Sequence, residues 1–568
     1  MNKYLMVLCL ILYCSLVCNK ISGKTTENTK LTLPMNEKKA LVALGQLWGF
    51  LKYHHPLVAS GSYDWDRELI KRIPEMRQTE DESVWKKKLN DWLDSLPPIE
   101  EKERKFSELR VKVKPDYGEL FNEDYFNSET IEKIKYILKN GEPSSTHYVK
   151  VDNSYLTFMN ESDYEDMLYP DSSYRLLALF RYWNIVNYFF PYRNLCDQRW
   201  SDVLSEMLPV FIDAKNQEEY INACRLLAAK IDDSHAYVGN DLIASIVGIH
   251  KVPFETRFIE DKLIITSYTA DVENIKKKIQ IGDIITKIDE EAVEDIVKRM
   301  LPYTSASNYA VKQREIALRI LRTSKDTVSL TLSRDGNTFE IEVPCYGSSQ
   351  LKLPNYSAPF PKEAEAYSII DNNIGLVLPS NCTTENRDKG IKKVLAGTKG
   401  VIVDFRCYPD DYISFPFLKH LNPASNIFSL VTHADASYPG YFFIAKWYDN
   451  VETPKVNPNP YPNKIVVIVN EYTQSAAEDI VLGFQTAPNT IVIGTTTAGA
   501  DGSIVRFSLP GKVGMVMSGR GVYYPDGSNL QRAGVKIDEI VKPTIKGIRE
   551  GRDEMFERAL AIINESTN

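Results

Sequence analysis

Four short apolar runs limit how the C-terminal part of this chain can fold. "IGLVLP" (374–379), "GVIVDFR" (400–406), "KIVVIVN" (464–470) and "TIVIGT" (490–495) are rich in Val and Ile and do not alternate with polar residues. Strands of this kind are buried on both faces of a mostly parallel sheet. Helical patterns lie between them, so residues 360–568 read as an α/β unit. In open α/β sheets, ligands collect beyond the carboxyl ends of the strands. Ser475 and Arg406 stand at such ends. Arg406 reads as structural, since an arginine at a strand end usually pairs with a carboxylate.

Ser475 lies in "NEYTQSAAED" (470–479), where a strand gives way to a helix start. One reading is an N-cap, with Glu478 completing a capping box. The other is a nucleophile, which needs a base and donors for an oxyanion. The chain has seven histidines. His235 in "AAKIDDSHAYVG" follows a helical pattern and opens a strand-like segment, so it sits at a junction of elements. His54, His55 and His147 read as packing or surface residues. His250 precedes the next unit, and His420 and His433 stay open as alternatives.

Upstream, the chain repeats itself. "ALGQLWGFLKYHHP" (43–56) is echoed by "ALFRYWNIVNYFFP" (178–191). Trp48 pairs with Trp183, Pro56 with Pro191, Trp65 with Trp200 and Pro74 with Pro209, at a constant offset of 135. The spacing predicts two related helical units, near 36–97 and 173–232, with the prolines where helices stop. Two copies are too few for a solenoid. His54 and His55 correspond to Phe189 and Phe190, which makes them packing residues rather than metal ligands. Residues 105–160 are polar and aromatic, with short strand-like runs such as "HYVKV".

Residues 252–345 change character. "KLIITSYTA" alternates, "IGDIITKIDEEAV" holds a glycine turn and a strand, "QREIALRILRT" has helical spacing, and "DTVSLTLSRDGNTFEIEV" reads as a hairpin about "RDGN". This order resembles a PDZ-like domain, whose sheet edge can accept an extended peptide. The plainer reading is a small mixed domain with no ligand.

A chain of 568 residues is too long for one core. The predicted organisation is multidomain α+β. A signal peptide spans 1–22. A helical unit with its polar connection spans 30–170, and a second helical unit leading into the histidine segment spans 171–250. A PDZ-like β-rich domain (251–346) and the α/β core (360–568) follow. The net charge of −8 gives nucleic-acid binding no support. The lysine and apolar run of "MNKYLMVLCLILYCSLVCNK" read as a secretory signal. The protein is therefore expected to be secreted, periplasmic or held at the cell envelope, and Cys18 is a candidate lipid anchor. Beyond that segment stand Cys196, Cys224, Cys345, Cys382 and Cys407, an odd and widely spaced set that reads as buried thiols.

The C-terminal third resembles the S41 serine peptidases, the family of tail-specific proteases and the tricorn protease core. The resemblance rests on "GVIVDFRCYPDD", "NEYTQSAAED", "VIGTTTAGADGS" and "YYPDGSNLQRAGVKIDEIV", and on "DDSHAYV" for the family's histidine motif. One branch uses a lysine about 25 residues after the serine. Ala500 or Asp501 stands there, so that dyad is absent. The tricorn-like branch implies Ser475 as nucleophile, His235 as base, Ser234 beside it, and a glutamate that is Gln531 here. A glutamine can orient an imidazole but cannot offset its charge. Glu539 and Asp538 rank below it as substitutes. The oxyanion donors implied are the N–H groups of Ala476 and of Asp410 or Asp411, where the family's glycines are replaced.

The resemblance implies an extracytoplasmic serine endopeptidase acting on peptide or protein substrates, without a metal or nucleotide cofactor. An oligomer stays open. The alternative is a weak or inactive peptide-binding protein on the same scaffold.

Overall fold

The computed structural model describes residues 33–101, 110–142, 146–270, 272–445, 451–452 and 457–565. The expected signal peptide and Cys18 lie outside these residues. Residues 36–568 make one unit of mixed helix and sheet. Among the described residues no helix is long and apolar enough to cross a membrane.

The repeat seen in the sequence recurs as one device built twice. Trp48 on the Met35–His54 helix donates its indole N–H to Trp65 O at 2.9 Å, and Trp65 on the Trp65–Arg77 helix returns the bond to Trp48 O at 2.9 Å. Trp183 and Trp200 do the same at 2.8 and 2.9 Å between the Ser172–Phe189 and Trp200–Asp213 helices. A buried indole N–H needs an acceptor, and each copy supplies it from its own partner helix. The two long helices meet where Asn184 Nδ2 donates to Gly45 O at 2.9 Å. A Cβ on Gly49 would lie 1.9 Å from the Asn184 side chain, so glycine is required there.

The copies differ in polarity. Lys52 and Arg181, both fully buried, flank Glu161 at 2.7 and 2.9 Å, and Arg181 also reaches Asp66 at 2.5 Å. The offset of 135 maps Lys52, Asp66 and Arg181 onto Asn187, Ser201 and Gln46. Those three neutral residues line a cavity of about 550 Å³. One half of the pseudo-symmetric pair thus holds an ion cluster, and the other a polar cavity.

Two expectations fail here. Pro56 and Pro191 do stand just beyond helix ends, but Pro74 and Pro209 lie inside the Trp65–Arg77 and Trp200–Asp213 helices. Each removes one backbone donor near the last turn, and packing of Trp65, Leu69, Ile73 and Met76 carries the first of these helices through it. The 105–160 stretch also contains a helix, Ser128–Asn140, as well as the hairpin Val149–Asp152 and Tyr155–Phe158. Its apolar stripe of Ile131, Ile134 and Ile137 is short and set among polar residues, which weakens its helical signal.

His54 and His55 are buried, His54 stacked on Phe50. Burial lowers the His55 pKa to about 4. All five cysteines are free thiols, with Cys196 and Cys345 half-buried rather than buried.

Residues 252–345 form an antiparallel sheet of Phe254–Ile259, Lys262–Tyr268, Ile284–Ile288, Thr327–Arg334 and Asn337–Pro344 about its own core. Asp335 and Gly336, both at positive φ, close the expected hairpin. The C-terminal sheet runs in the order Tyr367–Ile370, Ile374–Val377, Gly400–Asp404, Lys464–Val469, Thr490–Gly494 and Glu539–Ile540. Its first pair is antiparallel and the others are parallel. Val401, Val403 and Val467 bury one face, while Ile402, Val466 and Ile468 bury the other against the C-terminal helix Glu554–Glu565. That two-sided burial explains the unbroken apolar runs.

Candidate active site

The chain leaves the Lys464–Val469 strand through a short, heavily bonded turn. Asn470 N–H donates to Thr473 Oγ1 at 3.0 Å, Thr473 N–H returns to Asn470 O at 2.9 Å, and Thr473 Oγ1 donates to Phe405 O at 2.6 Å. Ser475 follows at φ 57° and ψ −124°, immediately before the helix Ala476–Phe484. A serine there is strained, and such strain persists only where the surroundings enforce it. A strained serine on a strand-to-helix turn is the arrangement that exposes a nucleophile's Oγ.

The capping-box expectation is corrected. Ser475 makes no side-chain cap. Glu478 is fully buried and accepts from Thr497 Oγ1 at 2.5 Å, Gly499 N at 2.8 Å and Ala500 N at 3.0 Å, with the Ser475 backbone N–H also against it. Burial raises its pKa to about 7. Glu478 therefore shapes the 497–500 loop, whose Ala500 O accepts the Ser475 N–H at 2.9 Å. Gly499 is needed in that loop because a Cβ would lie 2.8 Å from the Arg532 backbone.

His235 is held by a partner that the sequence did not reveal. The strands Tyr237–Gly239 and Val513–Ser518 pair antiparallel, with Tyr237 opposite Val516. Extending this register by two residues sets Ser518 opposite His235. Ser518 Oγ lies 2.9 Å from His235 Nδ1 and donates to Asp233 Oδ1 at 3.1 Å. The set is satisfied when Nδ1 carries the proton and donates to Ser518, which leaves Nε2 as a base. Asp233, fully buried, also accepts Ser518 N–H at 2.8 Å and His235 N–H at 3.1 Å. The His235 side chain is only 9% exposed. Burial lowers its pKa, opposed by the Asp233 charge.

Gln531 makes no direct bond to the imidazole, and of the two expected routes, direct or through Ser234, it reaches only Ser234, by way of Ser307. Its Nε2 donates to Asp233 Oδ1 and to Ser307 Oγ, both at 3.3 Å. Ser307 Oγ accepts Ser234 N–H at 2.8 Å, and Ser234 Oγ accepts Ser307 N–H at 2.9 Å while donating to Ala498 O at 3.2 Å. Ser234 thus faces the 498 loop and not the ring. A glutamate at 531 would face the Asp233 carboxylate, whereas glutamine offers it a donor. The substitutes Glu539 and Asp538 lie elsewhere, one paired with Arg558 at 2.6 Å and the other accepting Val492 N–H at 2.8 Å. Arg406 pairs with Asp404 and Asp553 at 2.6 and 2.7 Å.

Ser475 and His235 are joined through their neighbours, Gln474 Nε2 donating to Ser234 O at 3.4 Å. No hydrogen bond links their own side chains in this structure. Ala476 N–H, at the helix start, takes no carbonyl among the described residues. Asp410 N–H, the other expected oxyanion donor, is given to Pro379 O at 3.1 Å, and Tyr408 N–H to Ser357 O at 2.7 Å. Asp411 is turned to Arg387 at 3.2 Å. Sequence reading missed Asp233 and Ser518. Asp233 was within reach, two residues before the histidine, but Ser518 carries no local signal.

The fold has solved counterparts. Mature CPAF complexed with lactacystin is 12% identical, with a TM-score of 0.56 over 70% of this chain and 98% of that one. Mature CPAF is also 12% identical, with a TM-score of 0.54 over 69% and 96%. These likenesses concern the fold. The tricorn protease is 14% identical over 70% of this chain and 37% of that one, with a TM-score of 0.33. A search of curated proteins returned no match. The model of peptidase family S41 matches residues 376–541, which include the sheet from Gly400–Asp404 onward, the 407–411 turn, Ser475 and Gln531. Over those residues the chain is similar to peptidase family S41, and the enzyme class this indicates is a serine-type peptidase.

Proposed function

We propose that the protein is an extracytoplasmic serine endopeptidase whose nucleophile is Ser475 and whose base is His235. The observation that carries this reading is the strained backbone of Ser475 at the carboxyl end of the central strand. Ser475 Oγ attacks the scissile carbonyl carbon as its proton passes to His235 Nε2. Ala476 N–H donates to the oxyanion. Collapse breaks the C–N bond, and the imidazolium returns the proton to the leaving amine. Water then repeats the cycle on the acyl-enzyme and releases the acid and Ser475. Asp233, acting through Ser518, supplies the negative charge that the glutamine at 531 lacks. Gln531 and Ser234 position this group. The unit at 252–345 is read as the PDZ-like domain, and the helical repeats as its flanking scaffold.

A second reading, a peptide-binding protein with little activity, is favoured by the 407–411 turn. Asp410 N–H must leave Pro379 before it can serve an oxyanion, and loss of one such donor costs about 2.7–4 kcal/mol. Labelling with a fluorophosphonate, mapped to the peptide, separates the two. Modification of Ser475 in the wild type, lost in Ser475→Ala and in His235→Ala, is expected. An unlabelled, folded wild type would leave the binding reading.

A further inference from the structure

A cavity of about 230 Å³ opens beside the proposed base, and its walls carry charge that the mechanism does not use. Its lining includes His235 and Ser234 together with Arg225, Arg319, Glu315 and Tyr303. Arg319 is neutralised by Glu315 at 2.7 Å, but Glu315 is shared with Arg314 at 3.0 Å. Arg225 has no carboxylate within 4.0 Å among the described residues. Its Nη1 donates to the neutral Asn222 Oδ1 at 2.9 Å, and its guanidinium stands over the Tyr303 ring at 5.6 Å. Burial, and then the neighbouring Arg319, lower its pKa, as two cations facing one half-buried space require. The cavity wall is therefore one positive charge in excess, and an anion entering it relieves a repulsion already present.

Resting on the peptidase reading above, we infer that this cavity is a specificity pocket for a substrate side-chain carboxylate, with Arg225 as the residue that selects Asp or Glu near the scissile bond. The guanidinium fork matches a carboxylate in two parallel hydrogen bonds, while the aromatic ring of Tyr303 holds its plane. A site built to bind a charge discriminates against the isosteric amide, because the half-buried cation is then left without a counter-charge.

The test uses acetylated, C-terminally amidated fluorogenic peptides that differ at one position, Glu, Gln or Lys, scanned across the residues flanking the cleavage point. The terminal carboxylate is blocked, so only the side chain can supply the charge. At one position, kcat/KM is expected to favour Glu over Gln by roughly 10- to 100-fold. The ratio should collapse towards 1 in Arg225→Gln and turn towards Lys in Arg225→Glu, with thermal melting confirming the fold of each variant. A wild-type ratio near 1 at every position, or a ratio untouched by either variant, overturns the assignment. Binding of the Glu and Gln peptides to Ser475→Ala, read by fluorescence anisotropy, separates this inference from the catalytic one. A Glu preference in binding without hydrolysis by the wild type sinks the peptidase reading alone. Hydrolysis without charge preference sinks the pocket alone.

Discussion

Ser518 Oγ lies 2.9 Å from His235 Nδ1, although 283 residues separate the two in the chain. Ser518 then donates to Asp233, so a carboxylate reaches the ring through one hydroxyl. If this relay fixes the tautomer and offsets imidazolium, Asp233→Asn and Ser518→Ala should each lower kcat/KM by about 10²- to 10⁴-fold. The pH profile distinguishes this from loss of structure. Burial already sets the acid limb below the ordinary histidine value of about 6.5. Asp233 holds that limb up, so Asp233→Asn should shift it to still lower pH. An unmoved limb would show that Asp233 does not act on the ring.

Gln531→Glu is the sharpest contrast with the family pattern. Nε2 of Gln531 lies 3.3 Å from Asp233 Oδ1, so the variant sets two carboxylates face to face. Such a pair retains one proton until the pH exceeds its raised pKa. Activity is expected to stay close to wild type near pH 5.5 and to fall by about tenfold at pH 8, where both groups are charged. A gain at every pH would instead mark position 531 as the seat of the acid.

The backbone of Ser475 makes a prediction about stability. Its φ of 57° with ψ of −124° suits glycine, and strain of this kind costs about 1–3 kcal/mol. Ser475→Gly should abolish fluorophosphonate labelling and raise the melting temperature by a few degrees. Ser475→Ala should abolish labelling without that gain. Equal melting temperatures for both variants would remove the strain argument.

Buried acids behind the serine should make the protein less stable in mild alkali. Burial raises Glu478 to about 7 and raises Asp501 as well, so the folded state binds more protons than the unfolded state above pH 4.5. Stability then falls as pH rises. Below pH 6.5 the depressed His235 and His55 act in the opposite sense, so the fall should be clean between pH 6.5 and 8. For Glu478 alone the loss is about 3 kcal/mol in total from pH 4.5 upward, of which roughly 1 kcal/mol falls above pH 6.5. Asp501→Asn removes one of these groups at nearly constant shape. Melting curves of this variant should vary less across that window; an unchanged slope would exclude Asp501 as a source.

The sequence by itself determined what local pattern can carry. Unbroken Val and Ile runs set the buried strands, because a strand covered on both faces has no polar side to show. The offset of 135 set the duplicated helices, because each indole needs the same partner in both copies. Ser475 and His235 were legible as residues at element junctions. Three matters were decided only in the tertiary structure. Prolines at 74 and 209 stay inside helices because packing outweighs one lost donor. Glu478 turns its carboxylate to the 497–500 loop because that loop brings it three close donors. The carboxylate linked to His235 is Asp233, through Ser518, and not a residue at 531, because strand pairing between Tyr237–Gly239 and Val513–Ser518 sets the register. A hydroxyl buried opposite a histidine is a product of that register, and no local spacing encodes it.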